Sequence, residues 1–466
     1  DHLIAELGGK AELRMHHPIP RQVAIVHDAP WEGNNCAYHT VIRDDDVYRM
    51  YYRGTNMDLT DDKLRYTHDA VMCYAESEDG VHWTKPKLGL FAFDGSKENN
   101  IVWTGKGCHN FAPMKDANPD CPPEARYKAL GGLPGEGGLY AFQSADGIHW
   151  SLLSEQPVIT KGAFDSQNLA FWDTVRGEYR AYFRVFRDGR DISTATSDDF
   201  LHWTEPAFLS YAGGRKTQLY TNQITPYYRA PHILLGFPTR YIPGRGLLTP
   251  LNEKLARAHP RYGNDYTDGG FMSSRDGTTF HVWAEAFLRP GPVKQGRWLY
   301  GGNYQNWGLV ETEMEGAPEG ISSLLGPGST TELSIYASEG GWLGNANRMR
   351  RYTLRVDGFV SVHAPMSGGE VVTRPLRFEG KHLVVNYATS AAGSIRTEIQ
   401  NTQGEPIPRF ALADSHEIFG DQLQRTVSWN GGDDVRELTG KPVRLRFVMK
   451  DADLFSFRFQ ALPEEE

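Results

Sequence analysis

One motif, Ser-x-Asp-x-x-x-aromatic, recurs along the chain. It reads SEDGVHW at Ser77–Trp83, SADGIHW at Ser144–Trp150, SDDFLHW at Ser197–Trp203 and SRDGTTF at Ser274–Phe280. A degenerate copy, VDGFVSV, occupies Val356–Val362. The four serines stand 67, 53 and 77 residues apart, and repetition on that scale predicts a propeller or an array. Each copy has the chemistry of a hairpin. A strand ends at Ser, Asp-Gly makes the tight turn, and the aromatic residue opens the return strand.

Further strand-like runs precede each hairpin, so each unit predicts four antiparallel strands. The first unit reads AYHTVIRD, VYRMYYRG, VMCYAES and HWTKP; the third reads QNLAFWD, EYRAYFRV, DISTATS and HWTEP. The fifth reads NWGLVETE, ELSIYASE, RMRRYTLRVD and FVSVHAP. Five such units predict an all-β chain whose residues 1–365 form a five-bladed β-propeller, with an N-terminal extension at 1–20. A pair of β-sandwiches would explain neither the repeat nor the number of units. After about Ala364 the repeat stops, and HLVVNYATS, SIRTEIQN, VRLRFVM and LFSFRFQ predict a β-sandwich over 366–466.

Composition narrows the partners. Lys+Arg number 49 against 58 Asp+Glu, a net charge of −9, which argues against nucleic acid and anionic membranes. With 12% aromatic residues, 49 Gly and 27 Pro among 466 residues, aromatic strands punctuated by turns are the expected texture. No run of 18 apolar residues exists to span a membrane. Cys36, Cys73, Cys108 and Cys121 fit no zinc spacing; a Cys108–Cys121 bridge is open in an oxidising compartment. No HExxH or His-x-His spacing points to a metal, and no cofactor is expected. The opening DHLIAELGGK lacks a signal-peptide profile but suits a mature N-terminus, so a secreted or periplasmic location is the expectation.

In a four-stranded blade, one face collects the starts of the innermost and third strands and the ends of the second. Innermost-strand starts offer Trp31, Glu32, Asn34 and Asn35, then His109 and Asn110, then Asp165 and Gln167, then Asn222, then Trp307. Third-strand starts add Asp69, Asp191 and Asp268, and second-strand ends add Arg53, Arg184 and Arg240. A polar loop face needs no function. Converging carboxylates with aromatic platforms nevertheless match glycoside hydrolysis, in which one acid protonates the leaving oxygen and another carboxylate attacks or activates water. Arginine and amide forks suit sugar hydroxyls or a substrate carboxylate, and Trp31 or Trp307 could stack on a sugar ring. The hairpin aspartates Asp79, Asp146, Asp199 and Asp276 are expected to be structural. The stretch from Pro243 to Thr267 is expected to wall the funnel.

Five blades, carboxylates near the first and third innermost-strand starts, and a trailing sandwich resemble glycoside hydrolase family 32 and its relatives in families 43 and 68. GKPVRLRFVMKDADLFSFRF at Gly440–Phe459 is similar to the closing strands of such hydrolases. The family's Asn-Asp-Pro-Asn tract is replaced by PWEGNNCAYHT, its Arg-Asp-Pro by HNFAPMKD, and its Glu-Cys-Pro by Asp165-Ser166-Gln167. The resemblance implies cleavage of a glycosidic bond in an oligosaccharide or polysaccharide, with a furanose-like sugar expected. It makes Asp165 the general acid/base, and leaves Glu32 or Asp268 as nucleophile or water-activating base. A general acid at neutral pH needs a raised pKa. A glycan-binding propeller without catalysis, and glycosyl transfer to a sugar acceptor, are the alternatives.

Overall fold

In a computed structural model, residues 2–214, 217–294, 296–316, 330–342 and 347–460 are described. They are almost entirely β, with short helices at Pro250–Ala258 and Pro260–Asn264. None is long and apolar enough to cross a membrane. The chain divides into two compact units: Pro18–Thr312 with Ser334–Thr353, and Asp1–His17 with Glu313–Leu333 and Leu354–Glu466.

Five principal sheets follow in chain order, all but the strand ends of the fifth lying in the first of these units. Ala37–Asp44, Val47–Gly54, Val71–Ser77 and Ile101–Thr104 form the first. Ala112–Lys115, Tyr127–Gly131, Tyr140–Ser144 and Ser151–Leu152 form the second; Leu169–Asp173, Glu178–Phe186, Arg190–Ser197 and Ala207–Phe208 form the third. The fourth runs Thr225–Tyr227, Ala230–Gly236, Met272–Ser274 and Thr279–Val282, with Ser210–Ala212 added in parallel at its edge. Val310–Glu313, Thr331–Glu339 and Arg348–Leu354 begin the fifth.

The fourth strand of that fifth sheet is not the expected FVSVHAP. Ile19–Val26 takes the place, pairing antiparallel with Arg348–Leu354 from Arg348↔Val26 to Thr353↔Ile19. Val360–Ala364 instead pairs with Glu12–Met15 and Arg444–Gln460 in the other unit. Val360–Ala364 alternates, whereas Ile19–Val26 reads IPRQVAIV, with Pro20 suited to an edge strand and an apolar end; long-range pairing decides between them. The compact units therefore divide the chain differently from the expected 1–365 and 366–466.

Each sheet is bonded to the next, and the fifth to the first. The hairpin motif supplies much of this. In its first copy, the Ser77 hydroxyl accepts from Gly80 N–H at 2.9 Å, while Asp79 Oδ1 accepts from Val81 and His82 N–H at 2.7 and 2.8 Å. The same pattern recurs at Asp146, Asp199 and Asp276. A buried tyrosine on one sheet then donates to the turn carbonyl of its neighbour: Tyr51 to Gly147 at 3.0 Å, Tyr182 to Gly277 at 2.8 Å, and Tyr336 to Gly80. The last contact joins the fifth sheet to the first. Asn118 Nδ2 donating to Tyr179 Oη joins the second to the third, and Tyr228 Oη donating to Glu311 joins the fourth to the fifth. Trp307 strengthens the closure, exchanging backbone bonds with Val41 and His39 at 2.8 Å. Gly308 follows with φ +98°, and a Cβ there would lie 1.9 Å from the Val41 carbonyl, so only glycine fits. Between the sheets, Phe171, Tyr182, Leu234 and Met272 belong to one continuous buried core. Each such side chain contributes roughly 1.5–3 kcal/mol on burial.

The second unit holds a seven-stranded sheet dominated by His382–Gln400 and Arg444–Gln460, which pair along most of their length. Trp429, Phe447 and Ile399 lie in its core. Ile4–Gly9 pairs with Gly369–Thr373, which is why the first 17 residues group with the C-terminal ones. Cys36, Cys73, Cys108 and Cys121 are free thiols, so the Cys108–Cys121 bridge is not formed.

Candidate functional site

Residues from the first and third sheets, and from the connections leading to the second, fourth and fifth, meet around Asp165. The carboxylate stands before the strand Leu169–Asp173 with 58% of its side chain exposed. Its Oδ1 lies 3.3 Å from His109 Nε2, on the short 3-10 turn Cys108–Asn110. Its Oδ2 lies 3.3 Å from Arg184 Nη2, on the second strand of the same sheet. Arg53, at the end of the second strand of the first sheet, brings Nη1 within 2.9 Å of the same His109 Nε2.

Tyrosines floor this cluster. The Arg53 guanidinium sits 4.8 Å from the Tyr38 ring centroid, and that of Arg184 sits 4.9 Å from Tyr220, both in cation–π range. Tyr304 stacks on Tyr38 at 6.3 Å and packs on Tyr220 at 5.4 Å, while Tyr300 Oη and Tyr220 Oη are 3.1 Å apart. Tyr38 takes this position with φ +58°. A left-handed tyrosine is strained by roughly 1–3 kcal/mol, a cost that surrounding structure sustains most often at functional sites. The Pro243–Thr267 stretch adds Tyr262 against Tyr300 at 5.5 Å, and Arg261 over the Tyr300 ring at 5.0 Å. It therefore borders the tyrosine cluster, where the sequence placed it.

Electrostatics give Asp165 a definite state. Burial is the largest single influence and raises its pKa, but the His109 hydrogen bond and the Arg184 charge together outweigh it, leaving the carboxyl at about 2. Asp165 is thus ionised at neutral pH. A general acid, the role the resemblance implied, needs the opposite shift; the donors around Asp165 favour its carboxylate form. Burial and then the Arg53 charge lower His109, so its imidazole is neutral at pH 7. Burial raises the phenols of Tyr38, Tyr300 and Tyr304, which keep their protons.

The other expected carboxylates are not brought to Asp165. Glu32 is fully buried, and its Oε1 accepts from Tyr52 Oη at 2.5 Å. Its Oε2 accepts from Lys85 Nζ at 2.7 Å and Ala29 N–H at 2.9 Å. Both oxygens are engaged in this buried network, which has the geometry of a structural ion pair. Asp268 forms a two-pronged pair with Arg240 at 2.6 and 2.7 Å, directly across the strand pair Thr239–Ile242 and Tyr266–Gly269. Each neutralises the other. Asp191 is buried against Arg187 and the Tyr211 hydroxyl. Asp69 is exposed.

Most of the expected binding residues hold the framework instead. Asn110 Nδ2 donates to the carbonyls of Gly132, Phe164 and Ser166. Asn222 caps the turn to Ile224 and donates to the Tyr182 carbonyl. Gln167 is fully buried and donates to Thr40 Oγ1 at 2.9 Å. Asn34 pairs with the Met57 backbone. Trp307 is buried in the core with Nε1 bonded to the Ile224 carbonyl, so it is no sugar platform. Trp31 is half-buried, bonded to Asn100 and packed on Phe93. Asn35 stays near the site through its carbonyl, which accepts from Arg53 Nη2 at 3.2 Å.

Sequence reasoning missed Tyr38, Tyr300, Arg261 and Tyr66. Tyr66 is 56% exposed on the hairpin Met57–Thr60 and Lys63–Tyr66, and Arg53 and Asp165 both act on its phenol. Tyr38 was legible as the aromatic residue of the Asn-Asn-Cys-Ala-Tyr tract. No metal-binding group of three or more His, Cys, Asp or Glu side chains is present among the described residues.

No family model and no curated protein matches the chain. Solved structures to which it is similar include a family-130 glycoside hydrolase that targets β-1,2 mannosidic linkages in Candida mannan. The identity is 16% and the TM-score 0.44, over 75% of this protein and 95% of that one. A thermostable family-43 glycoside hydrolase gives 11% identity and TM-score 0.44, over 70% of this protein and 92% of that one. An N-acetylgalactosamine deacetylase from F. plautii in complex with blood group B trisaccharide gives 13% and 0.42, over 74% and 94% respectively. Likenesses this slight decide neither the fold nor the chemistry of this protein.

Proposed function

We propose that the chain is a carbohydrate-active enzyme that cleaves a glycosidic bond, built on a five-bladed β-propeller with a C-terminal β-sandwich. Asp165 is the working carboxylate. The observation that carries this is its combination of exposure with an ionised state, held by His109 and Arg184 above a floor of tyrosines. Such a group serves as nucleophile toward an anomeric carbon, or as the base that activates water. The proton for the leaving oxygen comes from a different group than Glu32 or Asp268, which are tied in ion pairs. The phenols of Tyr38, Tyr300 and Tyr304 are proton-bearing side chains of the cluster.

A second reading, glycan binding without cleavage, is favoured by one observation. No second carboxylate shares a bonding partner with Asp165 among the described residues. Incubating the protein with a glycan panel, furanosides included, separates the two. Release of reducing ends supports cleavage; transfer products identify a sugar acceptor in place of water; saturable binding with no new ends supports capture alone.

A further inference from the structure

The cations of the site outnumber its carboxylates. Arg53 is 4% exposed, and no carboxylate lies within ion-pair distance of it among the described residues. Its polar contacts are the His109 ring and carbonyl and the Asn35 carbonyl, and its buried Nε has no hydrogen-bond partner. Arg184 is equally buried, meets Asp165 only at 3.3 Å, and likewise leaves Nε unbonded. Arg261 stacks on Tyr262 and Tyr300, again with an unbonded Nε. Arg190 adds a fourth cation over Tyr220 and Tyr241. Against the four arginines stand Asp165, Asp265 and Glu136; Asp265 already accepts from the Tyr241 hydroxyl and Gly244 N–H, and Glu136 from the Gly107 and Leu133 N–H groups. The excess is local, since the whole chain carries −9.

Buried guanidinium groups with too few counter-charges are costly, and a polar atom left unbonded adds to the cost. His109 serves both neighbours as a neutral ring, with Nε2–H facing Asp165 and Nδ1, 3.3 Å from Arg53 Nη1, as acceptor. It carries no negative charge, so it gives Arg53 no counter-charge. An oxyanion beside Arg53 supplies the counter-charge that no carboxylate among the described residues gives it. The planar arginine fork suits carboxylate and sulfate oxygens in pairs. Tyr66 is exposed and within electrostatic reach of Arg53, an aromatic side chain near the proposed oxyanion site.

We propose that the sugar bound at this site carries an oxyanion substituent, a carboxylate or a sulfate ester, seated on Arg53 with Arg184 and His109 beside it. This deepens the proposed function and rests on its reading of the cluster as a sugar site. A neutral glycan would leave the excess charge unanswered.

The test is calorimetric titration of the full chain with matched oligosaccharides that share a ring and differ only in bearing a hydroxyl, a carboxylate or a sulfate ester. Inorganic sulfate serves as the probe without a sugar. An anionic member should bind at least about tenfold more tightly than the neutral one, and the advantage should shrink as salt rises. Which anionic member leads distinguishes the two sources of the oxyanion. Arg53→Gln should abolish the advantage, and Arg53→Lys should keep part of it, with near-ultraviolet circular dichroism confirming native packing. If Arg53→Gln does not fold, the wild-type comparison and Arg53→Lys still decide. Equal binding of neutral and anionic members, or an advantage that survives in folded Arg53→Gln, overturns the inference and leaves the proposed function standing. Failure of every sugar to bind, or inorganic sulfate binding as tightly as the best sugar, overturns both.

Discussion

Replacing Glu32 by Gln separates a structural ion pair from a catalytic carboxylate. Glu32 is fully buried, bonded to Lys85, Tyr52 and the Ala29 N–H, with His27 Nδ1 3.8 Å away. Burial, the largest influence, raises its pKa, yet His27 and Lys85 together bring it down from 4.5 to about 2. At about 1.4 kcal/mol per pH unit, that difference corresponds to about 3 kcal/mol of stability. Removing one partner of a buried pair costs about 3–5 kcal/mol by an independent route. Because the folded pKa lies below the unfolded one, this contribution is fully present well above pH 4.5 and is lost as pH falls through about 2. Urea denaturation at pH 7 should therefore show Glu32→Gln about 3 kcal/mol less stable with an unchanged slope. The gap should narrow as the pH is lowered toward about 3. Activity under native conditions should stay within a few-fold of wild type. Unchanged stability together with a hundredfold loss of turnover would refute the reasoning and restore Glu32 as a reacting group.

Three further outcomes follow from the same geometry. Gly308→Ala should lose about 3 kcal/mol or more in the same denaturation assay, because a Cβ would strike the Val41 carbonyl where the fifth sheet meets the first. Asp146→Ala should cost about 1–3 kcal/mol by releasing the Ile148 and His149 amides, with turnover unaffected, since the turn lies outside the Asp165 cluster. Asp165 should remain ionised down to pH values near 2. A pH–rate profile should then show no acid limb between about pH 4 and 6 that disappears in Asp165→Asn; finding one would mean that the carboxyl is raised rather than lowered.

The hairpins were legible because everything that makes them is local. Ser, Asp and Gly lie within four residues, and their bonds close inside the turn. The strand that completes the fifth sheet was not. Ile19–Val26 and Val360–Ala364 both suit a sheet edge, and only pairing across more than 300 residues of chain assigns the first of them. Asp165 could be singled out because its position in the third unit is set by the repeat. Its chemical state was hidden, since His109 and Arg184 approach it from a separate turn and a neighbouring strand. The surroundings of Glu32 were hidden for the same reason: the tract PWEGNN does not reveal that Lys85, 53 residues later, reaches back to it. The tyrosine floor was hardest to see, because Tyr38, Tyr220, Tyr300 and Tyr304 come from three separate stretches and meet only when the sheets close.

The proposed role of Asp165 is that of the carboxylate acting on the glycosidic bond. It is tested most directly by kcat/KM of Asp165→Asn at pH 7, on whichever glycan of the panel the wild type cleaves. The substitution keeps the shape and removes the charge. If Asp165 is that carboxylate, kcat/KM falls by about 10²–10⁴-fold in a variant whose near-ultraviolet circular dichroism shows native packing. Turnover within about tenfold of wild type would contradict that role.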